Sequence, residues 1–89
     1  MQQTRITIIN KLGLHARAAA KFVTLASQYK SEVLLEHNEK QVNGKSIMGV
    51  MMLAASKGTE LTLITTGIDE EETTEALTNL VNNRFDEAD

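Results

Sequence analysis

The hydrophobic period of this chain switches repeatedly between two and about 3.6, and turn residues mark each switch. Thr4 to Ile9 (TRITII) is β-branched and alternating, with Ile6 and Ile8 on one face, as in a strand. Asn10-Lys11-Leu12-Gly13-Leu14 interrupts it as a loop. From Ala16 to Gln28 the period is helical: Ala16, Ala19, Ala20, Val23 and Ala26 form an apolar stripe with Phe22 beside it. Arg17, Lys21, Thr24 and Gln28 occupy the opposite side. Glu32 to His37 (EVLLEH) is a second strand, Asn38-Glu39 a turn, and Gln41-Val42 a short return strand. After Asn43-Gly44, Ser46 stands as N-cap of a short methionine-rich helix, Ile47 to Ala55, with Gly58 as its stop. Glu60 to Thr66 (ELTLITT) alternates again and Gly67 ends it. Asp69 caps a last helix whose first turn, Glu70 to Glu72, complements the helix dipole. Its predicted buried stripe is Ala76, Leu77, Leu80 and Val81. The tail Asp86-Glu87-Ala88-Asp89 is expected to fray.

The resulting order, βαββαβα, predicts the α+β class. Its two-layer solution is an open-faced sandwich, a four-stranded antiparallel sheet with three helices on one face. No linker or repeat divides it, so residues 1–89 read as a single domain. A chain of 89 residues buries roughly 60% of its unfolded surface, enough for one core but not for a deep enclosed active site.

Charge and composition exclude several function classes. A net charge of −3 lacks the dense positive surface that nucleic acid or an anionic membrane requires, and the strands carry no aromatic residue for base stacking. With no cysteine there is no disulfide, thiol catalysis or thiolate metal site, which suits a reducing compartment. His15 and His37, with scattered carboxylates, make no metal ligand set, and no cofactor motif is present. The N-terminus leads into a strand without an apolar h-region, and no apolar run approaches ~20 residues, so the expectation is a cytosolic protein.

Gly13-Leu14-His15-Ala16-Arg17-Ala18-Ala19 is the most informative stretch. Free amides at a helix start bind anions, and the positive dipole end disfavours imidazolium at His15. A neutral, exposed imidazole can attack a phosphoryl group and hold it as a phosphoimidazole. Arg17, two positions on, offers a planar fork to the phosphate oxygens. Taken alone, this H-x-R spacing is weak, and a capping or surface histidine with a solvated arginine is the commoner meaning of it.

Two separated stretches, GLHARAA (Gly13 to Ala19) and NGKSIMGVMML (Asn43 to Leu53), together resemble HPr, the histidine phosphocarrier family of the phosphoenolpyruvate-dependent phosphotransferase system. The element order matches along nearly the whole chain. The resemblance implies that His15 is phosphorylated on Nδ1 and that Arg17 pairs with the phosphate. It implies that Ser46 is the serine which, in some bacteria, an HPr kinase/phosphorylase modifies. The phosphoryl donor would be enzyme I, of sugar or nitrogen type, and the acceptor an EIIA-type domain. Such proteins are monomeric carriers rather than stand-alone enzymes. The acidic ending Arg84-Phe85-Asp86-Glu87 leans toward the nitrogen-related branch, NPr. Where the family usually has proline after the arginine, this chain has Ala18. Alanine keeps the helix but gives up the fixed φ of proline.

One face of the second helix cannot bury all of Ile47, Met48, Met51 and Met52. Positions 47, 50, 51 and 54 form one stripe and 48, 52 and 55 another, and one of them is expected to be exposed. Exposed methionines suit adaptable interfaces. Ile47, Met48 and Met51, with Ala20 and Thr24 of the first helix, are therefore the expected partner surface. A competing reading is a non-catalytic regulatory docking module on the same fold, which would not need both His15 and Arg17.

Overall fold

The computed structural model describes all 89 residues. Strands β1 (Gln2–Thr7), β2 (Glu32–His37), β3 (Lys40–Asn43) and β4 (Glu60–Thr66) pair antiparallel in the order β1-β4-β2-β3. Helices α1 (Ala16–Ala26), α2 (Ile47–Met52) and α3 (Glu70–Asn82) give the order βαββαβα, and the sequence-based architecture is the observed one. Alternation places Ile6, Val33, Leu35, Leu61 and Leu63 on the inner sheet face. There they meet Ala18, Ala19, Phe22 and Ala26 of α1, Val50 of α2, and Leu77 and Val81 of α3 in a single core. Ile64 points to the other face, in register with Gln3 and Leu34.

β2 and β4 have the bounds the sequence predicts, and the other elements differ in instructive ways. β1 lies two residues earlier than Thr4–Ile9, because its ladder to β4 ends at Thr7↔Glu60. Ile8 is nonetheless fully buried, and its backbone pairs with Thr59 and Gly58 beyond the ladder (2.9 and 2.7 Å). α1 stops at Ala26 rather than Gln28, where the amides of Gln28 and Tyr29 bond to carbonyls three residues back. Its buried stripe is rotated from the expected one. Ala16 is exposed and Ala18 is buried, while Ala20 and Val23 are half-buried. Phe22 sets this rotation: it is the one large side chain of the helix that is fully buried, and it carries its neighbours at i−4, i−3 and i+4 inward with it.

α2 runs only to Met52, because Ala54 turns into the left-handed region (φ 51°), well before Gly58. In α3, Thr73 and Thr74 are buried where Ala76 and Leu80 are only half-buried. Both hydroxyls find partners. Thr74 Oγ1 lies 2.6 Å from Thr65 Oγ1, and Thr73 Oγ1 donates to the Asp69 carbonyl (2.7 Å).

Asp69 stands at the N-cap position of α3, but its carboxylate does not bond to α3 amides as a cap would. It reaches across to the α1–β2 connection, where it accepts from the Ser31 hydroxyl and from the amides of Lys30 and Ser31 (2.9 Å each). Those bonds, the Ser31 hydroxyl first, lower its pKa from the ordinary 3.8 to about 2. A depressed carboxyl pKa means that its contribution to stability is complete above the unfolded value and disappears as pH falls through the folded one. Asp69→Asn should therefore lower the urea midpoint at pH 7, and the gap to the native chain should close between about pH 4 and pH 2. A gap of constant size across that interval would contradict this role.

Candidate functional site

α1 begins where the loop after β1 folds against the segment following α2. Gly13 makes this possible. Its φ of +69° lies in the left-handed region, and a Cβ there would sit 2.5 Å from the Ala55 carbonyl oxygen and 2.9 Å from Ser56 Cα. Leu14 N donates to that same Ala55 carbonyl (2.9 Å). The loop is thus fixed through its backbone, with alanine rather than proline at position 18, and α1 still starts at Ala16. His15 is the N-cap residue, with extended backbone (φ −73°, ψ 175°), and its carbonyl accepts the first helical bond from Ala19 N (2.8 Å). Its ring makes no capping bond, so the amides of the first turn remain available.

The imidazole is partly covered, with 27% of its side chain exposed. Nε2 lies 2.5 Å from Glu87 Oε2, and Nδ1 has no hydrogen-bond partner. Glu87 Oε1 accepts from Asn10 Nδ2 (3.1 Å), whose other hydrogen goes to the Gly13 carbonyl (2.8 Å). Both neighbours of that nitrogen are acceptors, which fixes the orientation of the fully buried Asn10 amide. Burial by itself raises the Glu87 carboxyl pKa. The bonds from Asn10 and His15 and the nearby charges of His15 and Arg17 outweigh it, and the carboxyl is held below its ordinary range.

The tail that carries Glu87 does not fray. Phe85 is fully buried in the core, Lys21 Nζ donates to the Phe85 carbonyl (2.8 Å), and Lys11 N donates to the Asp89 carbonyl (2.6 Å). Arg17, exposed at the second position of α1, shares one open cleft of about 340 Å³ with His15, Lys11, Leu12 and Glu87. The histidine and the arginine are therefore brought together as the sequence predicts. Asn10 and Glu87 were not foreseen. Only an aromatic residue in an otherwise polar tail hinted that the tail is anchored.

Ser46 lies outside this cleft, at the start of α2. Its Oγ accepts from Gly49 N (3.1 Å), as an N-cap should. On α2 the expected choice between two stripes does not arise. Ile47, Met48, Met51 and Met52 are all exposed (44, 71, 39 and 61%), and Val50 alone is buried. A helix of six residues attached through a single side chain leaves the rest of its apolar surface outside. Leu12, 68% exposed, adds an apolar residue at the cleft. Ala20, half-buried, and Thr24, exposed, continue from Arg17 along α1 and line a groove toward Leu80 of α3. His37 is a surface residue bonded to the Glu60 carbonyl (3.2 Å). No helix is long and apolar enough to cross a membrane.

Fold and site together define a small open-faced sandwich that presents a histidine–arginine pair at a helix start, next to an exposed apolar helix. The family model described as "PTS HPr component phosphorylation site" matches residues 2–83. The chain belongs to this HPr family, the phosphocarriers of the phosphotransferase system. Phosphocarrier protein HPr of Pseudomonas aeruginosa is 60% identical over 90 residues, and that of Neisseria meningitidis 58% over 89; both matches cover 100% of each chain. The crystal structure of HPr-C-His from Thermoanaerobacter tengcongensis superposes with a TM-score of 0.94 at 47% identity, covering 98% of each chain.

Proposed function

We propose that His15 takes a phosphoryl group from enzyme I charged by phosphoenolpyruvate and passes it to an EIIA-type acceptor. The observation that carries this reading is the free Nδ1 of His15, in one cleft with Arg17 at the start of α1. The Nδ1 lone pair forms the bond to phosphorus as the bond from phosphorus to enzyme I breaks. The dianion is then met by first-turn amides and the Arg17 guanidinium. Onward transfer reverses these steps against the acceptor. The exposed apolar face of Ile47, Met48 and Met51, with Ala20 and Thr24, is the docking surface for both partners in turn, and the chain acts as a monomer in the cytoplasm.

Incubation with labelled phosphoenolpyruvate and enzyme I, sugar-type in one arm and nitrogen-type in the other, tests the proposal. Acid-labile label on the chain is expected, and the arm that charges it assigns the branch. Absence of label in both arms would leave the non-catalytic docking module as the reading.

Ser46 is the proposed regulatory site, modified by an HPr kinase/phosphorylase. A phosphate on an N-cap gains from the amides around it, so the helix should persist while about −2 charge is added beside the docking face. Ser46→Asp should weaken enzyme I binding by on the order of tenfold, or ~1.4 kcal/mol, with an unchanged fold. Titration calorimetry with enzyme I is the measurement, and equal affinity of the two proteins would remove Ser46 from regulation.

A further inference from the structure

We propose that Glu87 is a positioning residue for His15: its carboxylate accepts the Nε2 hydrogen, orients the ring, and leaves the lone pair on Nδ1. The role in transfer rests on His15 being the phosphoacceptor; the contact itself does not. An ionised carboxylate has acceptors only, so in a neutral ring bonded to it the hydrogen sits on the facing nitrogen. Here that nitrogen is Nε2, 2.5 Å from Glu87 Oε2. The bond made by one ring nitrogen decides the state of the other, and Nδ1 is left as the nucleophile. Glu87 is ionised at neutral pH as an ordinary carboxyl is, and the bond from Asn10 to Oε1 favours that form whatever the charge on the ring.

Two further observations set this contact apart from a chance meeting of side chains. The second carboxylate oxygen is held as well: Oε1 accepts from Asn10, and Asn10 is tied to the Gly13 carbonyl two residues before the ring. Imidazole, carboxylate and loop backbone therefore form one connected network, in which rotation of the ring breaks its bond to Glu87. The course of the chain that delivers Glu87 is also costly. Arg84, Phe85 and Asp86 all have left-handed backbone (φ 58°, 54° and 62°), with no glycine among them. Each such residue costs about 1–2 kcal/mol. Phe85 in the core and the Lys21 and Lys11 bonds hold the tail on that course, so that Glu87 arrives over the histidine. Backbone strain held in place by surrounding packing is characteristic of functional sites.

The transfer step balances without moving a proton. Nδ1 donates its lone pair to phosphorus and the bond to the donor breaks. The Nε2 hydrogen stays where it is, hydrogen-bonded to Glu87, in both the free and the phosphorylated ring. Glu87 bonds the ring at Nε2, the nitrogen opposite the one that attacks, and acts through His15.

Glu87→Ala and Asn10→Ala test this by two independent readouts. In the free protein, ¹⁵N NMR of the His15 ring, at a pH where the ring is neutral, should show the Nε2–H form alone in the native chain. The Nδ1–H form should appear in Glu87→Ala, and to a smaller extent in Asn10→Ala. In charging by enzyme I, Glu87→Ala should lower kcat on the order of tenfold with KM unchanged, because docking is untouched and only ring alignment is lost. Glu87→Gln, which retains an oxygen acceptor, should recover part of the rate. An unaltered ring spectrum in Glu87→Ala overturns the contact, and a rise in KM at constant kcat overturns the positioning role in favour of docking. If the native chain is not charged at all, the phosphoacceptor reading and the transfer role fail together, while the ring spectrum still decides whether Glu87 sets the tautomer.

Discussion

Replacing His15 by alanine is expected to reduce phosphoryl labelling by enzyme I to background while leaving the fold intact. The ring makes no capping bond to α1, and its one hydrogen bond goes to the tail. Its loss should cost about 1–2 kcal/mol, since the part-buried Glu87 carboxylate is left with Asn10 as its partner. No other side chain can take over. His37 stands at the end of β2 with no helix start beside it, and both its ring nitrogens are engaged, one with the Glu60 carbonyl and the other with Asn38 Nδ2. Arg17→Ala should behave differently. It removes a cation from the cleft but leaves the nucleophile and the first-turn amides, so transfer should slow by about a hundredfold, the usual cost of losing one donor to a developing anion. Rapid-quench measurement with labelled phosphoenolpyruvate separates the two variants. Residual acid-labile label on His15→Ala would move the acceptor elsewhere, and full-speed transfer by Arg17→Ala would take the guanidinium out of the mechanism.

The second large effect is expected at Phe85, far in sequence from the histidine. Burying a phenyl ring and then deleting it commonly costs about 3–5 kcal/mol. Phe85 is fully buried among core residues, which places Phe85→Ala at ~3 kcal/mol or more. For 89 residues a total stability of roughly 4–13 kcal/mol is usual, so this one side chain accounts for a quarter or more of a typical value. Urea unfolding gives the loss directly. Hydrogen exchange of residues 84–89 should become fast in the folded variant, and unchanged protection there would show that something other than Phe85 holds the tail.

What could be read from the sequence was local. β2 and β4 have their predicted bounds because Val33, Leu35, Leu61 and Leu63 alternate onto the core-facing side. That His15 and Arg17 share one cleft was legible because two residues apart at a helix start is itself a short-range geometry. Phe22 was placed beside the buried stripe when it in fact sets it, since counting apolar positions gives alanine and phenylalanine equal weight while burial follows size. Asp69 has the sequence signature of a cap, yet its carboxylate is drawn to Ser31 by amides 38 and 39 residues away. Glu87 and Asn10 lie 72 and five residues from His15, with no period or motif linking them, and only folding brings them together. The turn at Arg84–Asp86 has none of the glycine or asparagine that would signal left-handed backbone.

The loop carrying His15 is secured to Ala55 behind α2 on one side and to Asp89 in the tail on the other. A partly denatured chain therefore has the imidazole but not its surroundings. If His15 is charged as proposed, charging would report on whether the loop and the tail have folded against each other.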